Sequence, residues 1–171
     1  MLDAADRLLL AANRFACAAL LAAMSVLVFG NVVGRYVFGV SFAWVEEASR
    51  YMMIWCAFLG AGLALRAGAH IAVEMLPDAL PRIPAMLLRA TIALIVGLFL
   101  AVLVWLGLEY AAFARLQRTP VLRLSMGIVY LAIPIGCALC LLHLLAMLPG
   151  FVRRAASDDE KVRAAELGSA L

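Results

Sequence analysis

Few side chains in this sequence have the chemistry for a site: Glu46 and Glu47, His70 and His143, four cysteines, and arginines scattered along the chain. Glu46 and Glu47 come nearest to a pair of carboxylates for acid–base work. As neighbours on a helix, however, they project about 100° apart and do not converge on one substrate. Their simplest role is to complement the positive end of the helix they open. His70 and His143 would suit a bis-histidine haem bridging the second and fourth helices, but His70 lies past the end of its apolar run, beside Gly68. Cys17, Cys56, Cys137 and Cys140 all fall inside apolar runs, where cysteine packs as a small hydrophobe. Cys137 and Cys140 are three apart on one helix face, yet no second Cys or His pair accompanies them at metal-ligand spacing. No nucleophile and base are placed to converge, so an enzyme has no support, and neither does a cofactor held by this chain.

The elements that carry these residues are membrane spans. Of 171 residues, 67% are hydrophobic and 15% charged, and the mean hydropathy is +1.06. Soluble domains carry roughly 25% charged residues. The sequence therefore predicts an all-α integral membrane protein of four transmembrane helices, with an amphipathic helical lead into the second. Residues 1–155 form one membrane domain with spans at about 12–35, 42–66, 85–113 and 124–150. Residues 156–171 form a polar cytoplasmic tail. Phe15 to Gly34 carries no charge. It exceeds the roughly 7–15 residues of a signal-peptide core, and Asp3 and Asp6 precede it, so it reads as a retained helix. Ala90 to Leu108 is equally uncharged. The fourth apolar run contains Pro134, which cannot donate to Tyr130 and predicts a mild kink. Between the second and third spans, Arg66, His70, Glu74, Pro77, Asp78, Pro81 and Pro84 make an aqueous or interfacial connection.

The segment opening the second span is the most organised. Ser41 is a candidate N-cap. Taking Glu46 as zero, Arg50 lies near about 40° and Glu47 near about 100°, while Tyr51, Trp44 and Trp55 cluster at about 140–180°. A polar arc is thus set beside an aromatic arc, and Glu46 to Arg50 is the favourable i,i+4 order. Two roles compete for this segment: anchoring in the headgroup layer, and polar contact with a partner. Nine of the fourteen basic residues (Arg7, Arg14, Arg66, Arg82, Arg89, Arg153, Arg154, Lys161, Arg163) fall on one side of the four spans. Five (Arg35, Arg50, Arg115, Arg118, Arg123) fall on the other. The positive-inside rule then puts both termini in the cytoplasm. The scattered charge offers nothing to a nucleic acid.

A bundle that moved a solute alone would need ionisable groups near the midplane or helices broken into halves. This sequence has neither, and reads as a helper subunit. A free-standing small exporter would want a carboxylate inside the first span, which has none; a haem-anchoring subunit of a redox complex is the other alternative.

The stretch NVVGRYVFGVSFAWVEEASRYMMIWCAFLGAGLALRAGAHIAVEML contains Asn31, Arg35 and Tyr36, then Trp44, Glu46, Glu47 and Arg50, then Trp55, Gly60, Ala61, Arg66 and His70-Ile71. In order and spacing it resembles the small membrane subunit (DctQ-like, four-helix small permease) of tripartite ATP-independent periplasmic (TRAP) transporters. Outside residues 31–73 the likeness is only of generic hydrophobic helices. The resemblance implies a bacterial inner-membrane protein that assembles with a much larger membrane subunit, which holds the substrate and sodium sites, and with a periplasmic substrate-binding protein. It implies a scaffold for an elevator-like cycle and part of the docking surface for the binding protein. The solute would be a small organic anion such as a carboxylate. Asn31, Arg35, Tyr36, Trp44, Glu46, Glu47, Arg50, Trp55, Arg66 and His70 become the candidate partner contacts.

Overall fold

A computed structural model describes residues 2–66 and 82–148. Four helices are each long and apolar enough to cross a bilayer. α1 runs Leu2–Val37, α2 Ala43–Arg66, α3 Arg82–Ala114 and α4 Met126–Leu148. At 36 residues α1 spans about 54 Å, well beyond a hydrocarbon layer of about 30 Å. The polar lead carrying Asp6 and Arg7 continues the same helix. Pro84 sits in the first turn of α3, where its missing N–H breaks no helical bond. In α4 the helix is interrupted at Leu131, one turn before Pro134, where the bond from residue 134 to Tyr130 is missing.

α1 packs on α2, α3 on α4, and α4 also meets α2. Glycines bring the last two contacts to backbone distance. A Cβ on Gly136 would lie 2.6 Å from the Phe58 Cβ and 2.7 Å from its carbonyl oxygen. One on Gly127 would lie 2.8 Å from the Ala111 oxygen. Small residues do this in membranes, where van der Waals contact replaces the hydrophobic drive between helices. Leu100, Cys137 and Cys140 form the buried centre of the α3–α4 contact, with Leu65 of α2 against it. All four cysteines are free thiols, and Cys17, Cys137 and Cys140 are buried.

The outer surface is apolar. Phe15, Val26, Phe29, Leu94, Leu98, Phe99 and Trp105 are among the exposed large hydrophobics, an arrangement suited to lipid or to another membrane protein and not to water.

The short α1–α2 connection folds back on the end of α1. Gly34 O accepts from Phe38 N at 3.1 Å and from Val40 N at 3.0 Å, and Gly39 has φ 68. Ser41 is not the cap of α2. The helix opens at Ala43, with Val45 N donating to Phe42 O at 3.1 Å, and the Phe42 N–H is taken by Asn31 Oδ1 at 2.8 Å. The cap position passes to Phe42 because a side chain of α1 already orients that residue. The 115–125 connection lies at this same end. The Arg66 end of α2 and the start of α1 lie at the opposite end, and His70 and the polar tail fall outside the described residues.

Candidate functional site

At the end bearing the two connections, Val28, Asn31, Val32 and Arg35 recur at i, i+3, i+4 and i+7, so they share one face of α1. With Tyr36, Val45 and Glu46 they line a cleft of about 200 Å³. Arg35 is in the last turn of α1 and Glu46 in the first turn of α2, each favourable to its helix dipole. Both are exposed and no ion pair joins them. Asn31 spends its oxygen on Phe42 and keeps its amide N–H groups. The cleft thus presents a cation, an anion and an amide donor over an apolar floor.

Glu46 and Glu47 have separate fates. Glu47 is only 7% exposed. Its Oε2 accepts from Val121 N at 2.8 Å and its Oε1 from the Tyr51 hydroxyl at 3.2 Å. The polar arc expected from the helical wheel is therefore divided. Glu46 and Arg50 face outward without closing on each other, and Glu47 turns under the 115–125 connection because backbone donors there take its charge. Tyr51 leaves the expected aromatic arc for the same reason. Its position about 40° from Glu47 puts the hydroxyl within reach. Above Glu47 the connection is a small hairpin. Thr119 N donates to Leu124 O at 2.9 Å, Leu124 N to Thr119 Oγ1 at 3.1 Å, and Met126 N to Gln117 O at 2.9 Å.

Trp44 is 41% exposed, its ring 6.4 Å from that of Phe42. Tyr36 is exposed and Trp55 half-buried. Arg66 belongs to the far end, where it forms a two-pronged ion pair with Asp6, one prong at 2.8 Å. That end holds a second polar cluster. Asn13 Nδ2 donates to Leu59 O at 3.1 Å and lies 3.4 Å from His143 Nε2. The other ring nitrogen, Nδ1, has no hydrogen-bond partner among the described residues. His143 has no exposure, and its ring lies 2.6 Å from where a Gly62 Cβ would be. One ring nitrogen is engaged by α1 and one ring edge is pressed on α2, so the imidazole serves helix packing. Asn13 escaped the sequence reading, and Asp6 was read only as part of the polar lead, not as the partner of Arg66. Their signal was a shared stripe: Asp6, Asn13 and Cys17 lie within about 40° on the helical wheel.

These features are a helix-packing and surface apparatus. The family model for "Tripartite ATP-independent periplasmic transporters, DctQ component" matches residues 24–154. The chain belongs to the DctQ family. It is a TRAP small permease subunit, a multi-pass membrane component of a transporter and not an enzyme. It is 51% identical over 65 residues, 38% of this chain, to a TRAP transporter small permease protein of Haemophilus influenzae, covering 40% of that protein. It is 31% identical over 120 residues, 67% of this chain, to the C4-dicarboxylate TRAP transporter small permease protein DctQ of Rhodobacter capsulatus, covering 52% of it. It is also 31% identical over 108 residues, 62% of this chain, to the ectoine TRAP transporter small permease protein TeaB of Halomonas elongata, covering 56% of it. The matched regions thus cover between two fifths and just over half of these relatives.

Proposed function

We propose that this DctQ-family subunit is a scaffold. It binds the large TRAP membrane subunit, which carries the solute and sodium sites, in sodium-coupled uptake that depends on a periplasmic binding protein. The observation that carries this reading is the distribution of polar groups. Among the described residues Glu46, Glu47 and Glu109 lie toward one end of their helices and Asn13, Arg66, Arg89 and His143 toward the other, and residues 15–34, 51–65 and 90–108 between carry no charged side chain. A chain that moved an anion across that depth would need polar groups inside it. The isethionate TRAP transporter permease protein DctMQ of Oleidesulfovibrio alaskensis supports a larger membrane partner. Its match to this chain, 28% identical over 121 residues and 68% of this chain, covers only 19% of that protein.

The cleft at Asn31, Arg35, Tyr36 and Glu46, with Trp44 and Arg50 beside it, is the surface for that subunit. Trp55 and Arg66 orient the helices behind it. The protein lies in the bacterial inner membrane with both termini cytoplasmic, on the nine-to-five distribution of basic residues. This places the hairpin end in the periplasm, where it adds to the surface met by the binding protein. The solute is a small organic anion, as the C4-dicarboxylate and isethionate named in two relatives suggest, or at least a small molecule bearing an acid group, as the zwitterion ectoine named in a third does.

Co-purification tests the reading. The tagged chain, gently extracted, should bring with it a much longer multi-span protein. Glu46→Lys should insert at normal abundance yet recover less of that partner. A chain that always purifies alone, with its four-helix fold intact, would reject the scaffold role.

A further inference from the structure

The hairpin joining α3 to α4 carries Arg115, Arg118 and Arg123, all exposed, and residues 115–125 include no acid. No ion pair joins these three guanidiniums to a described carboxylate. They stand on a fixed frame. Besides the bonds across the hairpin, Ser125 Oγ donates to Arg115 O at 2.7 Å and Glu47 holds Val121 from below. Arg123 adopts φ 56, a left-handed conformation uncommon for a residue with a long side chain. Its backbone oxygen also accepts from Arg118 Nη1 at 3.5 Å.

The depth of this frame follows from α3. Between Arg89 and Glu109, α3 carries no charge, and exposed Leu94, Leu98 and Trp105 lie on one face of that stretch. From Ala90 to Leu108 the helix rises about 27 Å, close to the hydrocarbon thickness of about 30 Å. The arginines begin about 10 Å further on, in the headgroup region. Leu116 is 84% exposed, Val121 49% and Leu124 44%. Apolar side chains that open, set among cations, suit the boundary between headgroups and acyl chains better than water.

We propose that this hairpin is an anionic-phospholipid site. Arg115, Arg118 and Arg123 bind the phosphates of phosphatidylglycerol-type lipids in the leaflet at the hairpin end, while Leu116, Val121 and Leu124 rest on the upper acyl chains. The guanidinium fork matches phosphate oxygens in pairs, and three such groups that form no ion pair with a described carboxylate favour a net negative lipid over a zwitterionic one. The inference requires only that the chain crosses a bilayer, and stands apart from the scaffold reading.

The test is native mass spectrometry of the full chain released from nanodiscs of equal parts phosphatidylethanolamine and phosphatidylglycerol. In the triple variant Arg115→Gln, Arg118→Gln, Arg123→Gln, retained phosphatidylglycerol should fall about tenfold or more, with phosphatidylethanolamine unchanged. The corresponding triple Arg→Lys variant, which keeps the charge but not the fork, should hold several-fold more of it than the glutamine variant and confirms that the hairpin tolerates substitution. Unchanged phosphatidylglycerol in the glutamine variant would overturn the proposal. So would equal loss in the lysine and glutamine variants with a lowered melting midpoint, which would trace the effect to folding. Unchanged lipid with weakened docking of an acidic periplasmic protein would assign the arginines to a protein partner and likewise overturn it.

Discussion

Replacing Gly136 by alanine places a methyl group where α4 crosses α2. The new carbon would sit 2.6 Å from the Phe58 Cβ, 2.7 Å from the Phe58 oxygen and 2.8 Å from its carbonyl carbon. Carbon atoms in contact lie about 3.5–4.0 Å apart, so the two helices must part by roughly 1 Å. Two of the three obstructing atoms are backbone, so no change of rotamer relieves them. Overpacking of this kind costs about 1–3 kcal/mol. With backbone atoms in the way the upper part of that range, about 2–3 kcal/mol, applies, and alanine in place of helical glycine returns about 1 kcal/mol, leaving a net loss of about 1–2 kcal/mol. The separation also loosens the neighbouring Gly62–Cys140–His143 contact, so Gly136→Val should lose more. Gly30→Ala is the control: a Cβ there meets nothing within 4 Å, and the change should be neutral or mildly stabilising. The assay is the melting midpoint of the purified chain in detergent, followed by size-exclusion chromatography after heating. A Gly136→Ala protein as stable as the parent, with Gly30→Ala destabilised, would refute the α2–α4 crossing.

Glu47→Ala should free the hairpin and speed tryptic cleavage after Arg118 or Arg123 several-fold. Glu47→Gln keeps an acceptor for Val121 N–H and should stay near the parent, and equal cleavage of all three would remove the latch. Asn13→Leu breaks the bonds to Leu59 O and His143 and should lower stability by about 0.6–1.7 kcal/mol in the same melting assay; no change would mean that the cluster holds nothing together. Reporters active in only one compartment, fused to each terminus, should both read cytoplasmic, and a periplasmic carboxyl terminus would mean an odd number of spans.

The spans were legible because they depend on local composition. Apolar windows set four helices, and Pro134 marked the interruption that the structure places at Leu131. The family was legible in residues 31–73 and is borne out by the match over residues 24–154. Long-range pairings were hidden. Glu47 looked like a dipole complement because the backbone it holds lies 74 residues away, and Asn13 is separated from His143 by 130 residues. Ser41 had the right chemistry for a cap, but tertiary contact from Asn31 set the helix start at Ala43. Divergence of the two adjacent glutamates did follow from helix geometry, although which of them would be buried did not.

Uptake by reconstituted liposomes tests the scaffold role most directly. The chain is inserted alone, or together with the large membrane subunit and the binding protein, under an imposed sodium gradient with labelled C4-dicarboxylates and other candidate organic anions outside. Alone it should accumulate nothing above empty liposomes, and uptake should appear only when all three components are present. Saturable, sodium-dependent accumulation by this chain alone would contradict the scaffold role and require a solute path through helices whose middles carry no charged side chain.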